Sequence, residues 1–325
     1  MRKGVMGVDI KNKRIEQNSD ILSLIVPVHN EEDTIEIFYK AIKNVAPKIN
    51  ALIHFHFIDD GSTDKTLDLL RQLAQQDNNV HYISFSRNFG KEAGLYAGLQ
   101  QADGDYVAVM DVDLQDPPEL LPEMLKEVQS GDWDAVGTRR ADRKGEARIR
   151  SWFSTQFYKW MNKISQTQLV DGARDYRVMT RQMVDAILSL SENQRFSKGI
   201  FTWVGFKTKY IPFENRERVA GQTSWSFWSL SKYAVEGIVS FSTVPLTIIT
   251  LLGFLSFGIS ILSAVFIVIR ALVHNNSVDG WPSMVTIMLF IGGIQLLSLG
   301  VIGRYVAAIF LETKRRPIFI TREEK

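Results

Sequence analysis

Three pairs of aspartates at D-x-D spacing punctuate this 325-residue chain: Asp103 with Asp105, Asp111 with Asp113, and Asp132 with Asp134. Two carboxylates held together in a cleft repel each other unless a cation lies between them. A hard divalent ion supplies that charge, because carboxylate and phosphate oxygens can share its octahedral sites. The chain has no cysteine, and its five histidines form no H-E-x-x-H pair, so a metal must sit on carboxylates, carbonyls or imidazoles. Neither G-x-x-x-x-G-K-[ST] nor G-x-G-x-x-G occurs, so a diphosphate would be met by metal and not by a glycine-rich cradle.

Spacing alone cannot choose among the three pairs; the elements that carry them can. "ILSLIVPV", "ALIHFHFI", "VHYISFS", "DYVAVM" and "DAVGT" read as short strands. Between them, "DTIEIFYKAIKNV", "DKTLDLLRQLAQQ", "KEAGLYAGLQQA" and "PELLPEMLKEVQ" carry apolar residues at helical spacing. Strand and helix in turn imply right-handed βαβ units and a mostly parallel sheet covered by helices on both faces. In such sheets ligands bind beyond the carboxyl ends of the strands. Asp103 and Asp105 precede a strand and Asp132 and Asp134 open one, so only Asp111 and Asp113 emerge at the ligand edge. The same edge receives His29–Glu32, Asp59–Ser62 and Ser86–Asn88. Asp116-Pro-Pro-Glu119 reads as a capping box that starts the next helix. His54 and His56 alternate on one strand face and read as packing or satisfied polar residues.

The rest of the chain has a different solvent. From Val244 to Ile269 no charge appears for 26 residues, and a second uncharged stretch runs from about Trp281 to Gly303. Some 20 apolar residues suffice to cross a bilayer, so two spans are expected. Arg216, Arg218 and Lys232 precede the first and Lys314, Arg315 and Arg316 follow the second, whereas the connection carries only Arg270. The positive-inside rule then places both termini in the cytoplasm. "SWSFWSLSKYAVEGIVSFS" has the aromatic and basic content of an interfacial helix. Six glycines in the spans suit close helix packing between copies, hence a homo-oligomer, for instance a tetramer. The net charge of +2, from 38 basic and 36 acidic residues, argues against nucleic acid as a partner. The expected division is a flexible tail at 1–20, a soluble domain at 21–215, an interfacial segment at 216–242, spans at 243–270 and 281–311 around an outer loop at 271–280, and a cytoplasmic tail at 312–325.

"SLIVPVHNEEDTI", "FIDDGSTDKT", "SRNFGKEAGLYAGLQQADGDYVAVMDVDLQDPPE", "VGTRR" and "DYRVM", followed by "RVAGQTSWSFWSLSKYA" and two spans, resemble family 2 glycosyltransferases of the polyisoprenyl-phosphate type. The match is nearest to bacterial bactoprenol glucosyltransferases and more distant to dolichol-phosphate mannose synthases. It implies an α/β GT-A catalytic domain, Rossmann-like, followed by an interfacial helix and two transmembrane helices. It implies Mg²⁺ or Mn²⁺ on Asp111, Asp113 and Gln115 against the donor diphosphate. Pro27, Val28, Asn30, Glu31, Asp59 and Asp60 would surround the nucleotide, with Arg87, Gly94 and Asp111 beside it. Arg139, Arg150 and Ser154 would hold the acceptor phosphate. Asp175 would face the reacting sugar as base or positioning residue, with Asp113 the other catalytic carboxylate. "ARDYRVM" departs from the commoner "GDFRLM" form in reading Ala173-Arg174 before Asp175. The expected reaction is an inverting transfer of glucose from UDP-glucose to undecaprenyl phosphate at the inner membrane. GDP-mannose, UDP-N-acetylhexosamine or UDP-aminoarabinose derivatives are alternative donors. A processive polysaccharide synthase is a further alternative, although the chain lacks the Q-x-x-R-W string and the additional spans of those enzymes.

Overall fold

The computed structural model describes residues 20–141, 162–163, 170–214, 235, 237–274 and 280–325. Arg150, Ser154 and the aromatic stretch from Trp225 to Tyr233 lie outside them. Eight strands, β1 (Ile21–Val28), β2 (Leu52–Asp59), β3 (Val80–Phe85), β4 (Tyr106–Val109), β5 (Ala135–Arg140), β6 (Ala173–Thr180), β7 (Thr208–Phe213) and β8 (Thr321–Glu324), form one sheet in the order β7-β5-β6-β4-β1-β2-β3-β8. The five strands expected from apolar runs are all present, and β1 spans the very residues read from the sequence. Its near-continuous apolar character follows from burial on both faces. The pairs β3-β2, β2-β1, β1-β4 and β5-β7 are parallel, while β6 runs antiparallel to both β4 and β5.

Helices cover both faces. On one side α1 (Ile35–Val45) buries Ile35, Phe38, Ile42 and Val45, at the spacing of one helical face. There it is joined by α2 (Thr66–Gln76) and, after the third helix in the chain, by α4 (Leu121–Gln129), which buries Leu121, Met124, Leu125 and Val128. On the other side lie α3 (Lys91–Gln101), α5 (Arg181–Leu188) and α6 (Ser197–Trp203). Small residues bring α3 unusually near the sheet: a Cβ on Gly98 would collide with the Ile25 side chain, and one on Gly94 would lie 3.4 Å from Pro27 Cβ. That approach carries the first turn of α3 to the carboxyl ends of β1 and β4.

In "ARDYRVM" Ala173 already begins β6, directly after a turn made by Gly172 at φ 75°. One stretch differs from the sequence reading. The residues expected as a C-terminal tail contain an edge strand, β8, antiparallel to β3. Arg71 clamps it by donating from Nε and Nη2 to the two Glu323 oxygens, at 2.8 and 2.5 Å, and the Tyr82 hydroxyl donates to Glu323 at 2.8 Å.

Two long helices, α7 (Val244–His274) and α8 (Trp281–Thr313), complete the chain. Their stretches Val244–Ile267 and Met284–Thr313 are each long and apolar enough to cross a membrane, and neither is buried against the protein. Phe254, Leu262, Leu289 and Leu296 stand fully outward, as in a helix solvated by lipid. A Cβ at any of the six span glycines would meet nothing within 4 Å among the described residues, so none of them packs against these. The Tyr305 hydroxyl donates to the Ser242 carbonyl at 2.7 Å, and Glu312 accepts from the Asn193 N–H at 2.8 Å. The first contact joins α8 to the start of α7, and the second ties α8 to the sheet domain.

Candidate active site

The site is built from strand ends. In the β4-β6 ladder Val109 stands opposite Arg177. Continuing that antiparallel register by two residues sets Asp111 level with Asp175. Because β6 runs backwards, its beginning lies at the edge where the parallel strands end. The Lys91 ammonium lies between the two carboxylates, 2.7 Å from Asp111 Oδ1 and 2.7 Å from Asp175 Oδ2. Burial works against the charge on Lys91, but Asp111 and Asp175 outweigh it and hold the ammonium well above its ordinary value. Burial also opposes the charge on Asp175, yet Lys91, Lys198 and Arg177 hold its carboxyl well below the usual range. The Lys91 side chain is 36% exposed, so the bridge can be reached from solvent.

Arg177 fixes the backbone beneath this bridge. It is buried, lies 3.8 Å over the Phe201 ring, and donates to the carbonyls of Asp175 and Arg174 at 3.2 and 3.0 Å. Glu92 accepts from the backbone N–H and the hydroxyl of Ser197, fastening the first turn of α3 to α6.

The loop after β4 is strained where the chemistry was expected. Leu114 sits at φ 55°, rare for a bulky residue. Asp113 is buried and accepts the Gln115 N–H at 3.1 Å. The Gln115 side-chain oxygen is turned to Arg174 Nη2, at 3.2 Å, and Arg174 Nε donates to Asp116 Oδ1 at 3.0 Å. Asp116 therefore does not cap the next helix; it is the buried partner of Arg174, the residue by which this motif departs from the commoner form.

Asp116 Oδ2 has no hydrogen-bond partner, and burial pushes its carboxyl up to about 6 against the pull of Arg174. Arg174→Gln removes that pull and strands a buried carboxylate, a change worth about 3–5 kcal/mol. A carboxyl whose folded pKa is raised contributes stability that is complete below its unfolded value, about 4, and is lost as pH rises through the folded value. With arginine gone the folded value rises further. The expected result is a larger loss of unfolding free energy at about pH 8 than at about pH 5, with Asp116→Asn recovering most of it in the double variant. Equal losses at both pH values would contradict this pairing.

The remaining candidates line three interlocked loops after β1, β2 and β3. Asn30, at φ 55°, accepts the Thr63 N–H at 2.8 Å and donates its own N–H to the Ser62 hydroxyl at 2.9 Å. Glu31 accepts from the Thr34 hydroxyl at 2.8 Å. Asp59 is fully buried and accepts from the Ser62 N–H and the Ser84 hydroxyl. Asp60 accepts the N–H groups of Phe89 and Gly90 at 2.6 and 2.8 Å, and burial raises its pKa despite those donors. Asp59 and Asp60 thus shape the edge. Gly61, at φ 66°, must be glycine because a Cβ there would strike the Arg87 backbone. The exposed Arg87 guanidinium lies 3.9 Å over the Phe89 ring. Pro27 and Val28 end β1, and Arg139 is exposed near the end of β5, in register with Ala173. The structure gathers Asp111, Asp113, Gln115 and Asp175 at one edge; Arg150 and Ser154 lie outside the described residues.

Lys91 was missed by the sequence reading, although Arg87 and Gly94 on either side were chosen. A cation in the first turn of a helix is unfavourable, so a lysine directly after Gly90 signals carboxylates close by. The two rejected D-x-D pairs brace the opposite edge, where Asp105 accepts the Ile21 N–H and Asp134 the Lys207 N–H, both at 2.9 Å.

This sheet, with helices on both faces and carboxylates gathered beyond β4, is a GT-A glycosyltransferase domain followed by two apolar helices. The chain matches glycosyl transferase family 2 over residues 23–188 and belongs to that family. It is 42% identical over 304 residues to the bactoprenol glucosyl transferase of Shigella phage SfV, covering 94% of this chain and 99% of that protein. A prophage bactoprenol glucosyl transferase homolog of Escherichia coli is 40% identical over 94% of this chain and 99% of its own length. An uncharacterized glycosyltransferase of Synechocystis sp. is 36% identical over 93% of this chain and 95% of its own length. The protein is a glycosyltransferase.

Proposed function

We propose that this enzyme transfers glucose from UDP-glucose to undecaprenyl phosphate at the cytoplasmic face of the membrane, giving a β-linked lipid glycosyl phosphate. The observation that carries the reading is the Lys91 bridge between Asp111 and Asp175, at a sheet edge whose chain continues into two apolar helices. A cation already balances carboxylates at the edge to which this reading assigns the donor diphosphate and its counter-ion. The likeness to bactoprenol glucosyl transferases favours glucose and this lipid acceptor.

Asp111 and Asp113 fit a divalent ion such as Mg²⁺ or Mn²⁺: both are hard oxygen donors, adjacent to a buried carboxylate oxygen on Asp116 that has no partner. Such an ion would neutralise charge developing on the leaving diphosphate. Gln115 fits less well, since its oxygen is engaged by Arg174. The loops bearing Pro27, Val28, Asn30, Glu31, Asp59, Asp60 and Arg87, with Gly94 behind them, form the nucleotide side. Arg139, Arg150 and Ser154 are assigned to the acceptor phosphate, which arginines can grip through two hydrogen bonds.

A phosphate monoester is already largely ionised near neutral pH, so the acceptor needs little help losing a proton. A carboxylate held far below its ordinary pKa is a poor general base. Asp175 is accordingly a positioning and electrostatic group. Direct attack on an α-linked nucleotide sugar inverts the anomeric carbon.

A polyprenyl acceptor stays in the bilayer because each buried CH₂ contributes about 0.8 kcal/mol, so the enzyme must work at the membrane surface. Support for one-sided topology comes from β8, which follows the second apolar helix yet pairs with β3. An even number of crossings returns the chain to the same side. The test is detergent-solubilised enzyme with undecaprenyl phosphate and a panel of labelled nucleotide sugars. UDP-glucose should yield a β-glucosyl lipid; product from another donor only would overturn the glucose assignment, and no lipid product from any donor would overturn the reading itself.

A further inference from the structure

We infer that His54, His56 and Asp103 form a binding site for a zinc-class divalent ion at the sheet edge opposite the Asp111 cleft. The two histidines share one strand, and the sheet brings Asp103, 49 residues beyond His54, to them. His54 and His56 alternate on one face of β2, and Asp103 sits in the loop that leads into β4. His54 Nδ1 lies 3.0 Å from Asp103 Oδ2, and His56 Nε2 lies 3.4 Å from Asp103 Oδ1. One ligand atom from each residue lies within 4.8 Å of the others. Zinc bonds of about 2.0–2.2 Å at tetrahedral angles place neighbouring ligand atoms roughly 3.3 Å apart, and Asp103 Oδ1 lies 3.2 Å from His54 Nδ1 and 3.4 Å from His56 Nε2.

Hydrogen bonds inside the chain already draw the cluster together, with the proton positions set by the imidazole tautomers. Ser23 Oγ accepts the N–H groups of Asp103 and Gly104, at 3.2 and 3.0 Å, and has a single proton. Two atoms lie in reach of that proton, Asp103 Oδ1 at 2.9 Å and His56 Nε2 at 3.1 Å. In the tautomer with the His56 proton on Nδ1, Nε2 offers a lone pair, and a cation can be shared by it and the Asp103 carboxylate. Two imidazoles and a carboxylate suit zinc, which takes nitrogen and oxygen donors and needs no thiolate.

The cluster is open to solvent, and a third imidazole packs beside it. Asp103 is half exposed, at 53%. His81, the register partner of His56 on β3, has its ring 5.3 Å from that of His56 and 5.8 Å from that of His54. A cavity of about 320 Å³, lined by His56, His81, Gln101, Glu324 and Lys325 among others, opens beside the cluster. Occupancy would clip β2 to the entry of β4, the strand whose far end carries Asp111.

The test uses the full chain in detergent with Asp111→Asn and Asp113→Asn, so that the cleft holds no metal; wild type in excess Mg²⁺ is the second form should that variant fold poorly. Zinc bound after dialysis is counted by mass spectrometry, and Co²⁺ substitution is read by visible absorption. One equivalent of zinc is expected, with tetrahedral-type Co²⁺ bands, a raised thermal midpoint, and at least tenfold weaker binding in His54→Gln and in Asp103→Asn. Zinc content below about a tenth of an equivalent, or uptake unchanged by both substitutions, overturns the site.

Discussion

Asp113→Asn should lower sugar transfer by about 10²–10³-fold or more, the range for removing a preorganised charge from a transition state, while leaving the fold intact. Asp113 is buried at the end of the strained Leu114 loop, and its Oδ1 already orders that loop by accepting the Gln115 N–H. Asparagine keeps the shape and this acceptor but removes the charge, so lost activity would report on charge alone. Initial rates with added Mg²⁺ or Mn²⁺ and an unchanged thermal midpoint are the paired readouts. Full activity in the variant would remove Asp113 from the metal assignment. Gln115→Ala is the contrasting case, because the Gln115 oxygen is held by Arg174. Its effect on rate should be several-fold smaller and should not respond to metal concentration. If Gln115→Ala were as damaging as Asp113→Asn, the side chain would have to leave Arg174 when the ion enters.

What made the fold legible was hydrophobic rhythm. β1 to β5 are short apolar runs between helices of period 3.6, and the rule that ligands gather at the carboxyl ends of parallel strands separated Asp111 and Asp113 from two pairs of identical spacing. The same rule is silent on Asp175, which opens a strand. Resemblance selected it, and the reason it lies at the right edge is the reversed direction of β6, a topological fact with no local signature. Asp116 shows the opposite limit. Asp-Pro-Pro-Glu satisfies a capping pattern, but the nearby helix takes no side-chain cap and the carboxylate is claimed by an arginine 58 residues away. Local pattern cannot register a competitor that distant. β8 was invisible for a related reason: four polar residues at the chain end look like a tail, and they become a strand because β3 offers an unpaired edge and Arg71 a fork for Glu323.

Lys91→Met separates a bridge that shapes the resting cleft from one that serves the reaction. In the free enzyme the Lys91 ammonium is 2.7 Å from each of two carboxylates, and without it Asp111 and Asp175 lose the cation they share. Two consequences follow, with opposite dependence on metal. Asp111 can recover a counter-charge from a divalent ion, so its share of the loss should diminish as Mg²⁺ or Mn²⁺ is raised. Asp175 keeps Lys198 and Arg177 but loses the largest of the charges that hold its carboxyl down, so its pKa must rise. The form needed for positioning is the ionised one; the acid limb of the kcat/KM profile should therefore move to higher pH, and Lys91→Arg should move it back. The expected fall in kcat is about 10²-fold, and it should deepen as pH falls and Asp175 becomes protonated. A fall independent of pH and of metal would mean that Lys91 acts on the donor diphosphate directly and that its contact with Asp175 belongs only to the resting state.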